Sequence, residues 1–424
     1  MWSVSPRRPS RAPRAMRYRG CRYAVLLAAV LLVLAGCTQE DEEMSIPPLS
    51  AAEGRADAGL GPGTRALSSG PGYKASPSWS PRGDRIAFTV DGYVVDQGLK
   101  ARDVRRWTTR DLVAEDAEWT SQSSLAIFGL ASGSVTVAEP PVGTDEVPRS
   151  VYRARFREGS LDVEEVATDI LAMGPGLEGE GLIVVLEVGP YEGRLALIHD
   201  DGAVDRFYTG LIEGRVTGIS LSPGGHRVAL AARPPGDLAT SELHVLDLRD
   251  GARRRIARLN EGLEIVGTPQ WTKGGICYVA GKEKVSPAGS ATPLYELFLI
   301  PSGSGTPEPM PGVGEDFIAS SIRVSPDGER LAVVGRLNPN SPINLYILDV
   351  GTENLEDVTT NEEMEIKTGP DDLAWAPDGE SVVIIARGAL SEEPSVHAAP
   401  KGALLKDFYN LYEVPVEGAA EAKR

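Results

Sequence analysis

An all-β fold of repeated antiparallel units is predicted by three observations. A turn element built on Pro and Gly recurs along the chain, a short apolar strand stands on each side of it, and further strands separate one copy from the next. Ser78-Trp79-Ser80-Pro81-Arg82-Gly83-Asp84, followed by Arg85-Ile86-Ala87-Phe88, sets the template. Arg323–Val333, Ala374–Ile384 and Ser220–Leu230 repeat it. Weaker copies start at Glu118 and Gln270, and a degenerate one at Ala172. Four antiparallel strands returning every ~50 residues are the signature of a β-propeller blade.

Before the first copy comes a segment of another kind. Arg7, Arg8, Arg11, Arg14, Arg17, Arg19 and Arg22 stand in a stretch without acidic residues, and Tyr23 to Leu34 is an almost unbroken apolar run. The run is short for a membrane span and suits the core of a signal peptide, whether the chain starts at Met1 or at Met16. Leu34-Ala35-Gly36-Cys37 closes it, and the chain turns polar at once with Thr38-Gln39-Glu40-Asp41. The pattern resembles the bacterial lipoprotein signal. That resemblance implies removal of residues 1–36, acylation of Cys37 and attachment to a membrane outside the cytoplasm, inner or outer. An ordinary secretory signal or a short anchor is the alternative.

Residues 37–63 are poor in large apolar groups and rich in Glu, Asp, Ala, Gly, Pro and Ser, the composition of a flexible tether. Of three cysteines, Cys21 leaves with the signal and Cys37 would carry lipid, so Cys277 stands alone in the globular part. No internal disulfide is then available. Cys277 lies in the strand-like Gly275–Val279 and reads as a buried, inert thiol.

Charge narrows the partners. The whole chain carries −17, and without the seven arginines of residues 1–36 it carries −24. Such an excess argues against nucleic acid and against docking on anionic headgroups.

Each repeat reads as a blade. The inner strand ends in Ser-Pro, where Pro suits the first corner of a turn and Gly permits positive φ, and the second strand follows with branched apolar residues such as Ile86, Val333 and Ile384. Third strands are expected at Leu243–Asp247, Leu294–Phe298, Leu345–Asp349 and Leu411–Val414, and polar fourth strands at Arg254–Arg258 and Leu355–Thr359. Inner strands beginning near 77, 117, 170, 218, 268, 321 and 372 give seven blades; six is the alternative, if Ile170–Thr209 merges with a neighbour. The last blade lacks chain for a fourth strand. Residues 64–69 are expected to supply it by pairing with 411–416, closing the ring, with 417–424 left as a tail.

The repeat resembles the TolB-type β-propeller family with its W-S-P-D-G motif, over roughly residues 64–416. The α/β domain that precedes the propeller in TolB itself has no counterpart in this sequence. The motif implies the fold and leaves the function open, because such propellers serve many purposes.

Blade geometry assigns the loops to faces. First and third connections lie on one side; second connections and interblade links lie on the other. The short, uniform Pro-Gly turns read as structural. The second connections 129–147, 233–241, 281–293, 335–342 and 387–408 are long, and long loops on a rigid scaffold are the usual place for binding. Glu115, Asp116, Glu118, Glu315, Asp316, Glu362, Glu363, Asp371 and Asp372 are the expected binding residues of that long-loop face.

No catalytic set is expected. His199, His226, His244 and His397 have no ligand spacing, and no nucleophile elbow, P-loop, His-Glu-x-x-His or calcium loop occurs. Related propellers precede hydrolase domains in some peptidases, and no room for one is left before Arg424. A monomeric, membrane-anchored binding or scaffold propeller without cofactor or metal follows, engaging a protein or a cell-envelope polymer. The alternative is an enzyme with a metal in the central channel, using residues such as Glu118.

Overall fold

In the computed structural model every Ser-Pro turn is closed by the same bonds. The structure describes residues 60–416 apart from 69–71, 101–102, 109–111, 132–148, 158–159, 177–180, 190, 207–209, 238–239, 260–262, 286–290, 303–304, 362–363 and 388–408. Cys37, Glu362, Glu363, residues 1–36, most of the expected tether and the 417–424 tail lie outside them. Ser80 N–H donates to the carbonyl of Arg85 (3.0 Å), and Gly83 N–H to that of Ser80 (2.8 Å). The Ser80 hydroxyl accepts the N–H of Arg85 at 3.1 Å. Ser222 with Arg227 and Ser325 with Arg330 repeat all three contacts. Gly83, Gly225, Gly328 and Gly379 hold φ of 67°, 68°, 75° and 72°, where a side chain would be strained.

Turns at this place join the first two strands of each of seven antiparallel sheets. Blade 1 runs Lys74–Trp79, Arg85–Val90, Tyr93–Gly98 and Val104–Arg106 from the inside outwards, and blade 2 runs Leu112–Ser121, Ser124–Ala131, Ser150–Arg157 and Ser160–Ala167. Blade 3 is Ile170–Pro175, Leu182–Gly189, Glu192–Ile198 and Val204–Arg206; blade 4 is Arg215–Leu221, Arg227–Arg233, Glu242–Asp247 and Arg253–Arg258. Blade 5 is Glu264–Trp271, Gly275–Val285, Ala291–Pro301 and Glu308–Pro309, and blade 6 is Ile318–Val324, Arg330–Arg336, Asn344–Asp349 and Asn354–Asp357. Blade 7 takes Leu373–Trp375, Ser381–Arg387 and Asn410–Pro415 from the C-terminal end and Arg65–Ala66 from the other. The fold is a seven-bladed β-propeller. The six-blade alternative fails because Ile170–Pro175 pairs only within its own sheet.

Closure follows the expected register. Arg65 stands opposite Glu413 and Ala66 opposite Tyr412, with Arg65 Nε bonded to Glu413 Oε2 at 2.8 Å. The packed chain begins before residue 64, however. Leu60 is fully buried in the core between blades 6 and 7, and its carbonyl accepts the N–H of Thr360. The Gly- and Pro-rich surroundings of Leu60 hide a single apolar side chain that seats the incoming strand.

Apolar cores form between consecutive blades, because each sheet is buried on both faces by its neighbours. Blade 6 residues Val334 and Leu345 share one core with Leu373, Ile384 and Tyr412 of blade 7; Cys277 and Leu297 of blade 5 share the next with Val333 and Tyr346 of blade 6. Tryptophans staple the joints. Trp119, Trp271 and Trp375 each donate Nε1–H to a backbone carbonyl of the preceding blade, at Ser78 (3.1 Å), Ser220 (3.2 Å) and Arg323 (2.8 Å). Trp79, at the joint that closes the ring, finds no acceptor among the described residues.

One second connection is shorter than expected. In blade 5 the ladder continues to Val285 opposite Ala291, leaving only 286–290 as connection where 281–293 was anticipated. Lys282, Glu283 and Lys284 lie within that ladder, opposite Leu294, Pro293 and Thr292, and pairing satisfies their backbone. In blade 1 the connection is the two-residue turn Asp91-Gly92, both residues left-handed (φ 48° and 82°), as a tight hairpin requires.

Candidate functional site

Each inner strand contributes one residue to the wall of the central channel at the place just before the tryptophan position. These are Ser78, Glu118, Gly174, Ser220, Gln270, Arg323 and Ala374, one from each blade, and they surround a cavity of about 560 Å³. Four of the seven carry no more than a hydroxymethyl group, which leaves the space open. Gly174 is required for a second reason: a Cβ there would stand 2.6 Å from the carbonyl oxygen of Ile219 on the next blade. The cavity reaches from Asp116, Thr268 and Asp371 to the turns at Ser222-Pro223 and Ser325–Gly328. The turns that read as purely structural therefore border a cavity.

Its charges come from distant parts of the chain. Asp116 and Glu118 alternate along the inner strand of blade 2, Arg323 stands on blade 6, and Asp371 precedes the inner strand of blade 7. Arg323 Nη2 lies 3.6 Å from Asp371 Oδ1, and its Nε donates to the carbonyl of Leu373 at 3.5 Å. The hydroxyl of Ser78 donates to Glu118 Oε2 at 2.7 Å. Both blade 2 carboxyls sit deep in the molecule yet keep part of their surface on the channel. Burial, reinforced by the charges of Asp371 and Glu118, pushes Asp116 up to about 8. Burial also raises Glu118, against the pull of Arg323 and the Ser78 bond. At neutral pH Asp116 is then a neutral acid able to donate a hydrogen bond.

The remaining expected site residues disperse. Glu115 pairs with Arg149 Nε at 2.7 Å on the rim. Glu315 and Asp316 are exposed on the link into blade 6. Asp372 is buried and pairs with Lys367 Nζ at 2.9 Å; burial raises it despite that partner. Lys367 also donates to the carbonyl of Lys74 (3.1 Å) and stands 4.1 Å from the centre of the Tyr73 ring. Lys74 itself is fully buried, donates to the carbonyl of Tyr409 at 3.0 Å, and is lowered by burial to about 8. The nine expected residues thus divide between channel, rim, closing seam and undescribed chain.

Sequence reasoning missed Arg323, Lys74 and Lys367. A charged residue within the otherwise strand-like Ile322-Arg323-Val324 was the available signal for the first. Lys74 and Lys367 carry no comparable signal, since strand ends are commonly charged. Cys277 is buried beside Thr272, and burial pushes its thiol up to about 12, which leaves it unreactive. His244 is buried between Glu242 (3.0 Å) and Arg253 (3.2 Å) in blade 4. Among the described residues no group of three or more His, Cys, Asp or Glu stands placed to hold a metal ion.

The other end of the molecule differs in character. Tyr73, Val113, Val188, Tyr191, Leu211, Leu337 and Val104 are the large apolar side chains exposed among the described residues. All but Val104 sit at inner-strand starts, second connections or interblade links. They therefore collect on the long-loop face, opposite the Ser-Pro turns.

No protein-family model matches the sequence, and no curated protein matches it. Solved structures do match. A manganese-bound oligogalacturonate lyase aligns at 13% identity over 82% of this chain and 91% of that one, with a TM-score of 0.50. A putative TolB from Agrobacterium tumefaciens aligns at 13% identity over 74% of this chain and 89% of that one, at a TM-score of 0.38 that is too loose to distinguish one propeller family from another. The chain spans half the length of a puromycin hydrolase structure that it matches at 14% identity (75% of this chain, 50% of that one, TM-score 0.49). At such identities the likeness shows the fold alone: this chain is a β-propeller of seven four-stranded blades.

Proposed function

We propose that the protein is an extracytoplasmic lipoprotein, anchored through Cys37, whose propeller is a non-catalytic binding or scaffold module. A protein or cell-envelope component docks on its long-loop face. The observation that carries this reading is the gathering of Tyr73, Val113, Val188, Tyr191, Leu211 and Leu337 on that face. Exposed apolar groups concentrated on one side of a folded domain mark an interaction surface. The Leu34-Ala35-Gly36-Cys37 pattern and the charge of −24 beyond it support the address and argue against nucleic acid as the partner. One acyl chain holds a protein only marginally, so stable attachment requires the multiple acylation that the lipoprotein resemblance implies. The metal-dependent channel enzyme lacks a donor set among the described residues to build on.

Cell fractionation tests the anchor and native electrophoresis the docking. Cys37→Ser is expected to leave the membrane fraction with an unchanged Tm. Detergent-extracted wild type is expected to run as a larger, partner-bound species, and Tyr191→Ser combined with Leu337→Ser is expected to stay membrane-bound and to lose that species. Retention of unlipidated Cys37→Ser protein would contradict the anchor, and an unchanged larger species would contradict the docking face.

A further inference from the structure

Blade 3 departs from its neighbours at the long-loop face. Its outer strand, Val204–Arg206, covers only one end of the third strand, Glu192–Ile198. The other end is covered by Ile212–Glu213, the incoming link to blade 4, with Ile212 opposite Gly193 and Glu213 opposite Glu192. The result is a blunt platform. Val188, Tyr191 and Leu211 protrude from it, 48%, 44% and 43% exposed. No other blade exposes three large apolar side chains among the described residues.

Acids surround these groups. Glu192 and Glu213 are exposed and directly opposite one another on paired strands, an arrangement that costs stability unless a positive charge comes between them. Beside the platform lies a groove of about 410 Å³ bounded by Glu165, Asp169 and Glu187, with Val166 and Val188 as apolar wall and Arg194 as its one base. Arg253 reaches Glu213 at the backbone carbonyl, 3.1 Å away, and its charge also acts on the Glu213 carboxylate, so the rim is partly offset there. The balance is an apolar centre with a negative rim.

We propose that this end of blade 3 docks a basic segment of a protein partner, in which an apolar side chain seats among Val188, Tyr191 and Leu211 while flanking lysines or arginines meet Glu187, Glu192 and Glu213. It rests on the long-loop face being the docking face and adds the chemistry of the partner. Apolar contact at the centre supplies the affinity, and the acidic rim supplies selection against acidic partners and a fast, salt-sensitive encounter. The same rim disfavours a second copy of this chain, whose patch would meet it with like charge, and an anionic lipid surface.

The test uses the detergent-extracted full chain and two synthetic hexapeptides, alternating Lys-Leu and alternating Glu-Leu, followed by fluorescence anisotropy at low and high salt. Saturable binding of the Lys-Leu peptide is expected, with none of the Glu-Leu peptide. Glu192→Lys with Glu213→Lys should weaken it at least tenfold, and the milder Glu192→Gln with Glu213→Gln several-fold, with Tm checked for each. Val188→Ser with Leu211→Ser should weaken it about fivefold with the salt dependence retained. Glu308→Lys with Glu356→Lys, on the outer strands of blades 5 and 6, should change it less than twofold. No saturable binding, or equal loss from the Glu308 and Glu356 pair, overturns the proposal. Loss confined to Tyr73→Ser with Leu337→Ser overturns the blade 3 site while the long-loop face still stands as the docking face.

Discussion

Asp96→Ala is expected to destabilise the propeller by about 3–5 kcal/mol, the cost of stripping one partner from a buried ion pair. Asp96 is fully buried on the third strand of blade 1. One carboxylate oxygen takes Arg85 Nη2, and the other takes Trp107 Nε1–H at 2.9 Å. Arg85 also donates to both carboxylate oxygens of Asp103 at 3.0 Å, but Asp103 is half-exposed, so Asp96 is the only fully buried carboxylate of the two. Without Asp96 the guanidinium faces the core with one partner lost, and the Trp107 indole N–H is left without an acceptor inside the core shared by blades 1 and 2. Asp96→Asn keeps an acceptor for Trp107 and should cost less. Urea unfolding followed by tryptophan fluorescence measures both. A loss under 1 kcal/mol for the alanine variant would show that this network does not hold blade 1.

Stability should fall as pH rises from about 4 to 8, with Asp116 the main contributor beside Glu118 and Asp372, which burial also raises. Folded, Asp116 holds its proton up to about 8; unfolded, it releases it near 3.8. Between those values the folded chain binds more protons than the unfolded one. Its contribution is therefore complete below 3.8 and is lost as pH climbs through 8. Because part of the carboxyl faces the channel, the loss is set at about 2 kcal/mol rather than the larger figure that full burial would give. Lys74 tilts the curve the other way at higher pH. Its folded value near 8 lies below its ordinary 10.5, so deprotonation favours the folded state between the two. Wild type should pass through a stability minimum near pH 8. Asp116→Asn should flatten the falling limb, matching wild type at pH 4 and exceeding it at pH 8. Identical pH profiles for the two proteins would mean that the channel carboxyl is ionised in the folded state.

The parts of this protein legible in its sequence are those made by neighbours in the chain. Ser80-Pro81-Arg82-Gly83 encodes its own hairpin, since the serine hydroxyl, the fixed proline and the left-handed glycine all act within six residues, and repetition of that unit gave the blade count. Closure by residues 64–69 was legible because the seventh blade visibly lacked a strand. The channel was not, because its charges meet only when the ring closes: Asp116 and Glu118 of blade 2 share a cavity with Arg323 of blade 6 and Asp371 beside blade 7. The same holds for the buried seam lysines. Lys367 touches Asp372 close by in sequence, but Lys74 and Tyr73 lie at the opposite end of the propeller chain. The 281–293 segment misled because a charged hairpin arm has the composition of a loop. The long-loop face was legible as a set of long connections, whereas its apolar content was not, since exposure of Val188 or Leu337 depends on what fails to pack over it.

Docking on the long-loop face is tested most directly by a photocrosslinking amino acid placed, in intact cells, at Tyr191 and Leu337 on that face and at Arg82 and Asp378 on the Pro-Gly turns opposite. Discrete adducts of one mass from Tyr191 and Leu337, with none from Arg82 and Asp378, are the expected result. Adducts from Arg82 and Asp378 alone would place the partner over the channel mouth and contradict a docking face on the long-loop side.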